Sequence, residues 1–209
     1  MFYVSRFKLQ EKGTTLVEII VVIFIIAIFS SILISNFPKI IRQFALSGSA
    51  YKLSQDFRKV QDLGLSGVLI VEEQVGGQSQ QIRAKGYGIY FNLRQNTQYI
   101  IYADRGSPSD FKYNGNLQLC SNSVDSEADC ILETINITDE NSDLYIKEII
   151  NINSGAVDTS INFTPPNPDI AIDNLSSGKK EIGVMLGLGS EPLLSRTVWV
   201  NISGLIRVE

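Results

Sequence analysis

The residues with the clearest chemical potential lie at the N-terminus, in EKGTTLVEIIVVIFIIAIFSSILI, Glu11 to Ile34. Glu18 is a carboxylate at the start of an otherwise apolar run. A charged residue at the centre of a bilayer costs about 2.5–3.5 kcal/mol on insertion scales. Such a residue calls for a partner or a purpose. Two cysteines, Cys120 and Cys130, enclose CSNSVDSEADC, which also carries Asp125, Glu127 and Asp129. ITDENSD sets Asp139, Asn141 and Asp143 at alternate positions. Oxygen donors at alternate positions are how a calcium loop begins. Neither segment has the glycine at position six or the bidentate glutamate at position twelve of the full calcium pattern.

The residues also exclude chemistry. There is no histidine among the 209 residues, which removes the commonest general base and imidazole ligand. Two cysteines without histidine cannot supply the four ligands of a Cys/His zinc site. Neither G-x-S-x-G nor G-x-x-x-x-G-K-[ST] occurs. The net charge is −4. Residues 1–13 hold +2, from Arg6, Lys8 and Lys12 against Glu11, so the rest carries −6. An acidic body lacks the Lys/Arg surplus that phosphate-backbone binding needs. These features predict neither an enzyme nor a nucleic-acid binder.

The elements that must position these groups read in three parts. Leu16 to Ile34 is a nineteen-residue run, about 28 Å as a helix, near the bilayer core thickness of about 30 Å. A signal peptide would place small residues of the A-x-A kind after the core, whereas SNFPK follows here. A plain signal anchor accounts for the run but not for Glu18. The flanking charges, Arg6, Lys8 and Lys12 against Lys39 and Arg42, leave orientation open. From residue 37 the apolar positions Ile40, Phe44, Ala50, Leu53, Phe57, Val60 and Leu63 or Gly64 recur every three or four, predicting an amphipathic helix. Pro38 starts that helix or kinks one continuous helix. From Val68 the pattern changes. VLIVEEQV, a Gly76–Gly77 turn and QIRAKGYGIYFNL read as a β-hairpin. TQYIIYAD, LYIKEIINI, TSINF, DIAI, EIGVML and TVWVNISGLIRVE read as further strands.

KGTTLVE, the apolar run and the striped continuation together resemble type IV pilins and the pseudopilins of type II secretion. Gly13 matches the last residue of that family's basic leader. Glu18 matches its glutamate, fifth if Thr14 is first. Thr14 stands where the family usually has phenylalanine, and Pro38 lies a few residues beyond the family's helix-bending proline. KGYGIYFN, INFTPPNPDI and the V-N-x-x-G ending resemble the minor branch of FimT-type pilins and pseudopilin H. The resemblance implies an α+β fold, with a long N-terminal helix packed on one face of an antiparallel, β-rich head around one core. It divides the chain into a leader 1–13, an apolar helix 14–36, an amphipathic continuation 37–65 and a head 66–209.

By the same resemblance, a prepilin peptidase cuts between Gly13 and Thr14 and N-methylates Thr14. Glu18 then pairs with the Thr14 amine of a neighbouring subunit. The subunit waits among inner-membrane lipids as a single-pass protein with its head outside, then enters a pilus-type filament. Its partners are other pilin or pseudopilin subunits and the assembly platform. Alternatives are a secretion pseudopilin and a DNA-uptake minor pilin. With the head outside the membrane, Cys120 and Cys130 are expected to form a disulfide. No cofactor is expected, with Asp125, Glu127 and Asp129 the candidates for calcium.

Overall fold

The computed structural model describes residues 15–73, 79–105, 112–115, 119–120, 129–139, 141–165 and 169–209. The chain is α+β: one helix followed by antiparallel sheets. It divides into two compact units, Met1–Ile41 and Arg42–Glu209.

Helix α1 runs from Leu16 to Ser66 and carries Pro38 within it. Thr15 caps its start: the Glu18 N–H reaches the Thr15 carbonyl at 3.0 Å and the Thr15 Oγ1 at 3.3 Å. Gly67 ends it in the left-handed region, φ 58°, with its N–H on the Leu63 carbonyl. A residue just past a helix end often adopts this conformation, and glycine does so at least cost.

In the first unit, the described side chains of α1 are exposed all round, Phe24, Phe29 and Ile34 among them. This helix is long and apolar enough to cross a membrane. Isoleucine, valine and phenylalanine on every face leave no polar side to meet water.

The second unit builds its core on the rest of the helix. Leu46, Ala50, Leu53, Phe57 and Val60 are buried, with Ser49 beside them. Their spacing of three and four sets them on one face. The predicted stripe is thus right from Ala50 onward and wrong before it. Ile40 and Phe44 are exposed, Phe44 at 74 %, and Leu46 takes the core position instead. Extending the register back from Ala50 by four gives Leu46, whereas Phe44 lies two residues away, on another face.

Strand β1 (Leu69–Glu73) pairs with β2 (Ser79–Arg83) in a two-stranded sheet. The five-stranded sheet has the order β5-β4-β3-β7-β8: Cys130–Asn136, Gln98–Asp104, Gly86–Asn92, Asp158–Thr164 and Asp169–Ile172. The four-stranded sheet has the order β11-β10-β9-β6: Ile206–Val208, Glu191–Asn201, Glu181–Leu188 and Leu144–Ile150. All these pairings are antiparallel.

One core takes residues from the helix and from both larger sheets. Tyr99, Ile101 and Ala103 of β4 enter it, as the alternation predicts, with Ile89 and Phe91 of β3. Ile182, Val184 and Leu186 of β9 come from the other sheet. The expectation of one sheet under the helix is therefore corrected to two. Both sheets present their alternate apolar residues to the same core, which alternation along single strands cannot reveal. The ending expected as one run is also split. In VNISG the Asn201 Oδ1 accepts from the Ser203 and Leu205 N–H groups, and Gly204 has φ 87°. This turn folds β11 back onto β10.

Phe57 is fully buried, 5.9 Å from the Phe91 ring centroid. Phe57→Ala is expected to cost about 3–5 kcal/mol, the usual range for a buried aromatic. Phe44→Ala should stay within about 0.5 kcal/mol. Urea unfolding of the detergent-solubilised chain checks both.

Candidate functional site

Gly13 and Thr14 lie outside the described residues. Glu18 is exposed in the first turn of α1, three residues after the cap Thr15. T-x-x-E is the sequence form of a capping box. An acid here also faces the positive end of the helix dipole. Glu18 therefore has a local reason to be where it is, in addition to any partner on another chain. The T-x-x-E pattern at Thr15–Glu18 is the local sequence signal for this cap.

In the two acidic segments, Asp129 and Asp143 accept from backbone N–H groups and a hydroxyl elsewhere in the chain. Asp125 and Glu127 lie outside the described residues. Asp129 is buried; its Oδ1 accepts the Arg105 N–H at 3.2 Å and its Oδ2 the Asn114 N–H at 2.7 Å. It thereby joins three chain segments. Asp143 accepts the Ser190 hydroxyl, and the Ser190 N–H at 2.9 Å, while Asn141 Oδ1 takes the Asp143 N–H. The Ser190 bonds hold the Asp143 carboxyl below the usual carboxylate value. Among the described residues no group of three or more Asp, Glu, His or Cys could hold a metal ion.

Cys120 and Cys130 are bonded, and both are buried. The bridge fixes the start of β5, where Leu119 also pairs with Ile131. A cleft of about 400 Å³ opens beside it, lined by Leu63, Val68, Ile70, Tyr87, Cys120 and Leu132. At its edge Lys59 and Glu133 pair with each other at 2.6 Å. The described lining is mostly apolar.

The outer face of the five-stranded sheet carries a second, smaller cluster. Ile100, Tyr102 and Ile131 are buried there with Tyr90 and Tyr113 packed on them. Gly88 leaves room for Tyr102: a Cβ on it would meet the ring at 2.5 Å. Gly86 does the same for the Asn162 amide. This explains both glycines of KGYGIYFN as close approaches on the outer face of β3. Asn162, fully buried, donates to Asp104 at 3.3 Å and to the Tyr102 hydroxyl at 3.4 Å. Burial raises the Tyr102 pKa, against the Asn162 and Ser160 bonds that lower it; the Asp129 and Asp104 charges add to the rise. Burial, then the charges of Asp129 and Tyr90, push Tyr113 up to about 12. These groups latch strands together. Their partners come from distant parts of the chain, which no local sequence pattern marks.

A third polar group holds the turn between β9 and β10. Arg42 Nη2 meets Glu191 Oε1 at 3.0 Å, and its Nε meets the same oxygen at 3.1 Å. Lys147 Nζ donates to the Pro192 carbonyl at 2.8 Å.

Comparison of the chain with protein-family models, curated proteins and solved structures found no match.

Two outcomes are expected. Reduction of the disulfide frees a loop whose closure is worth about 2.5–3 kcal/mol in the chain-entropy model. Unfolding with and without reductant should show that loss, and intact mass should show no free thiol before reduction. The second concerns pH. The folded state favours the neutral forms of Tyr102 and Tyr113. Their contribution is full below the ordinary phenol value of 10.0 and is lost as pH rises, for Tyr113 through about 12 and for Tyr102 higher still. Among the described residues the buried Tyr113 hydroxyl has no hydrogen-bond partner. Tyr113→Phe should therefore leave neutral-pH stability unchanged or raise it by up to about 1 kcal/mol. It should also remove part of the alkaline loss, measured as unfolding free energy against pH.

Proposed function

We propose that this chain is a pilin-like structural subunit that enters a type IV pilus-type filament after its leader is removed between Gly13 and Thr14. The observation that carries the proposal is the first half of α1. It is a helix exposed and apolar on every face, with its one acid, Glu18, in the first turn. Two environments suit such a surface: lipid, and other helices of the same kind. The lipid explains the apolar faces, and a packed bundle of helices explains the acid as well. Cleavage after Gly13 creates an amine at Thr14, four residues or about 6 Å along a helix from Glu18. A staggered neighbour can bring its own amine to that carboxylate. Two compensated charges are tolerable where one alone is costly, and such a pair fixes register between subunits. The α+β head, built on the second half of the same helix, accords with this reading. A secretion pseudopilin would use the same parts.

Mass spectrometry of the membrane-extracted protein should find N-methyl-Thr14 as its first residue. Co-expressed with its filament partners, Glu18→Ala and Glu18→Leu should still reach the membrane but enter sheared filaments at least about tenfold less, the effect of losing roughly 1.4 kcal/mol per contact. An intact Met1, or undiminished incorporation of both variants, would overturn the reading.

A further inference from the structure

The two halves of the disulfide differ in what surrounds them. Cys130 is the first residue of β5, paired with Ala103 of β4, and has no exposed surface. Cys120 keeps 6 % of its surface exposed and forms part of the wall of the cleft of about 400 Å³. Cys130 is not among the described residues that line that cleft. One end of the bond thus borders a cleft, while the other is closed within the sheet and core.

This asymmetry has a chemical consequence. A disulfide is broken by a thiolate that reaches one of its two sulfurs, and access and leaving group both set the rate. Here the two oppose each other. Attack at Cys120 makes Cys130 the leaving thiolate. Cys130 is buried and follows the buried carboxylate of Asp129 in the chain, and both features disfavour a thiolate. Attack at Cys130 offers the better leaving group, but β5 must open first. Opening a core strand costs free energy that approaches that of global unfolding, whereas a poor leaving group only slows the step. Access decides, and it selects Cys120.

The cleft suits a small thiol. Its volume lies within the range of small-molecule pockets, which begins at about 300 Å³. Leu63, Val68, Ile70 and Leu132 give it apolar walls for a short aliphatic chain. At its edge the Glu133 carboxylate carries its own counter-charge, Lys59 at 2.6 Å, toward an approaching thiolate.

We propose that Cys120 is a site of reversible S-thiolation by a small aliphatic thiol that enters through this cleft. The thiolate attacks Cys120 Sγ and the bond to Cys130 Sγ breaks. Its electron pair leaves on Cys130, which takes a proton from water. A second thiolate then attacks the small-molecule sulfur of the adduct and frees Cys120. Two thiols end as one small disulfide, and the protein gains two electrons and two protons. Between the steps Cys130 expels the adduct by the reverse attack, so the native bond re-forms unless a second thiol arrives first. The exchange uses only residues of the second compact unit.

The folded full chain in detergent is treated with 2-mercaptoethanol and the reaction is stopped with acid, which removes the thiolate. The chain is then unfolded, free thiols are blocked with N-ethylmaleimide, and peptides are mapped by mass spectrometry. The expected product carries the adduct on Cys120 and maleimide on Cys130, in at least about tenfold excess over the opposite arrangement, because only one sulfur is reached. A chain first unfolded in urea should carry the adduct on both sulfurs. Leu132→Phe narrows the cleft and should slow adduct formation in the folded chain. Lys59→Gln, on the surface, uncovers Glu133 and should slow anionic 2-mercaptoethanesulfonate more than cationic cysteamine. An adduct on Cys130, an equal split, or no adduct on the folded chain under conditions that modify the unfolded one would each overturn the proposal. A rate unmoved by a folded Leu132→Phe, or a preference between the two charged thiols unmoved by Lys59→Gln, would overturn the cleft as the route and the proposal with it.

Discussion

A single helix that has to satisfy two environments constrains everything else in this chain. From Leu16 to Ile41 its apolar side chains point in every direction, and no face is left for water. From Leu46 to Gly64 one face alone is buried, while Lys52, Gln55, Arg58 and Asp62 occupy others. The first half is long and apolar enough to cross a membrane. The second needs a protein core, and the β strands provide it. The helix that is long and apolar enough to cross a membrane is also the helix on which the core of the second unit is built.

The head meets this requirement economically. Two antiparallel sheets bring their apolar faces to the same helix stripe, so one core serves all three. Polar contacts then fix register where apolar packing alone would allow sliding. Tyr99 donates to Asp56 on the helix at 2.5 Å, and Tyr87 donates to the Val68 carbonyl at 2.5 Å. The Asn162–Tyr102–Asp104 group does the same on the outer face, where it ties β7 to β4 across the narrow β3. Buried polar groups of this kind add little net stability when paired and cost much when left unpaired. Their value lies in choosing one arrangement. The acids that resembled the start of calcium loops are explained in the same way. Asp129 and Asp143 give their described contacts to backbone amides and a hydroxyl, which loops without regular hydrogen bonding must find somewhere.

The sequence by itself determined whatever depends on neighbours a few residues away. It gave the helix, since a period of three to four needs no tertiary partner to be read. It gave most strands, including the inward set Tyr99, Ile101 and Ala103, since alternation is equally local. It also placed Glu18 three residues after a threonine cap, a pattern visible in T-x-x-E. The cysteine pair was expected from their number and the compartment implied by the resemblance. Tertiary structure alone decided whatever depends on distant residues meeting. Which face of residues 40–50 enters the core was one such matter, and Leu46 took the place foreseen for Phe44. The division of the strands into two sheets was another, together with β5, whose CILETIN alternates too weakly to be read alone. The purpose of Gly86 and Gly88 lies with Asn162 and Tyr102, and the turn between β9 and β10 is held by Arg42, Asp143 and Lys147. In each case the deciding contact spans a long stretch of chain. Periodicity reports the face a residue shares with its near neighbours, whereas only packing selects what that face will meet.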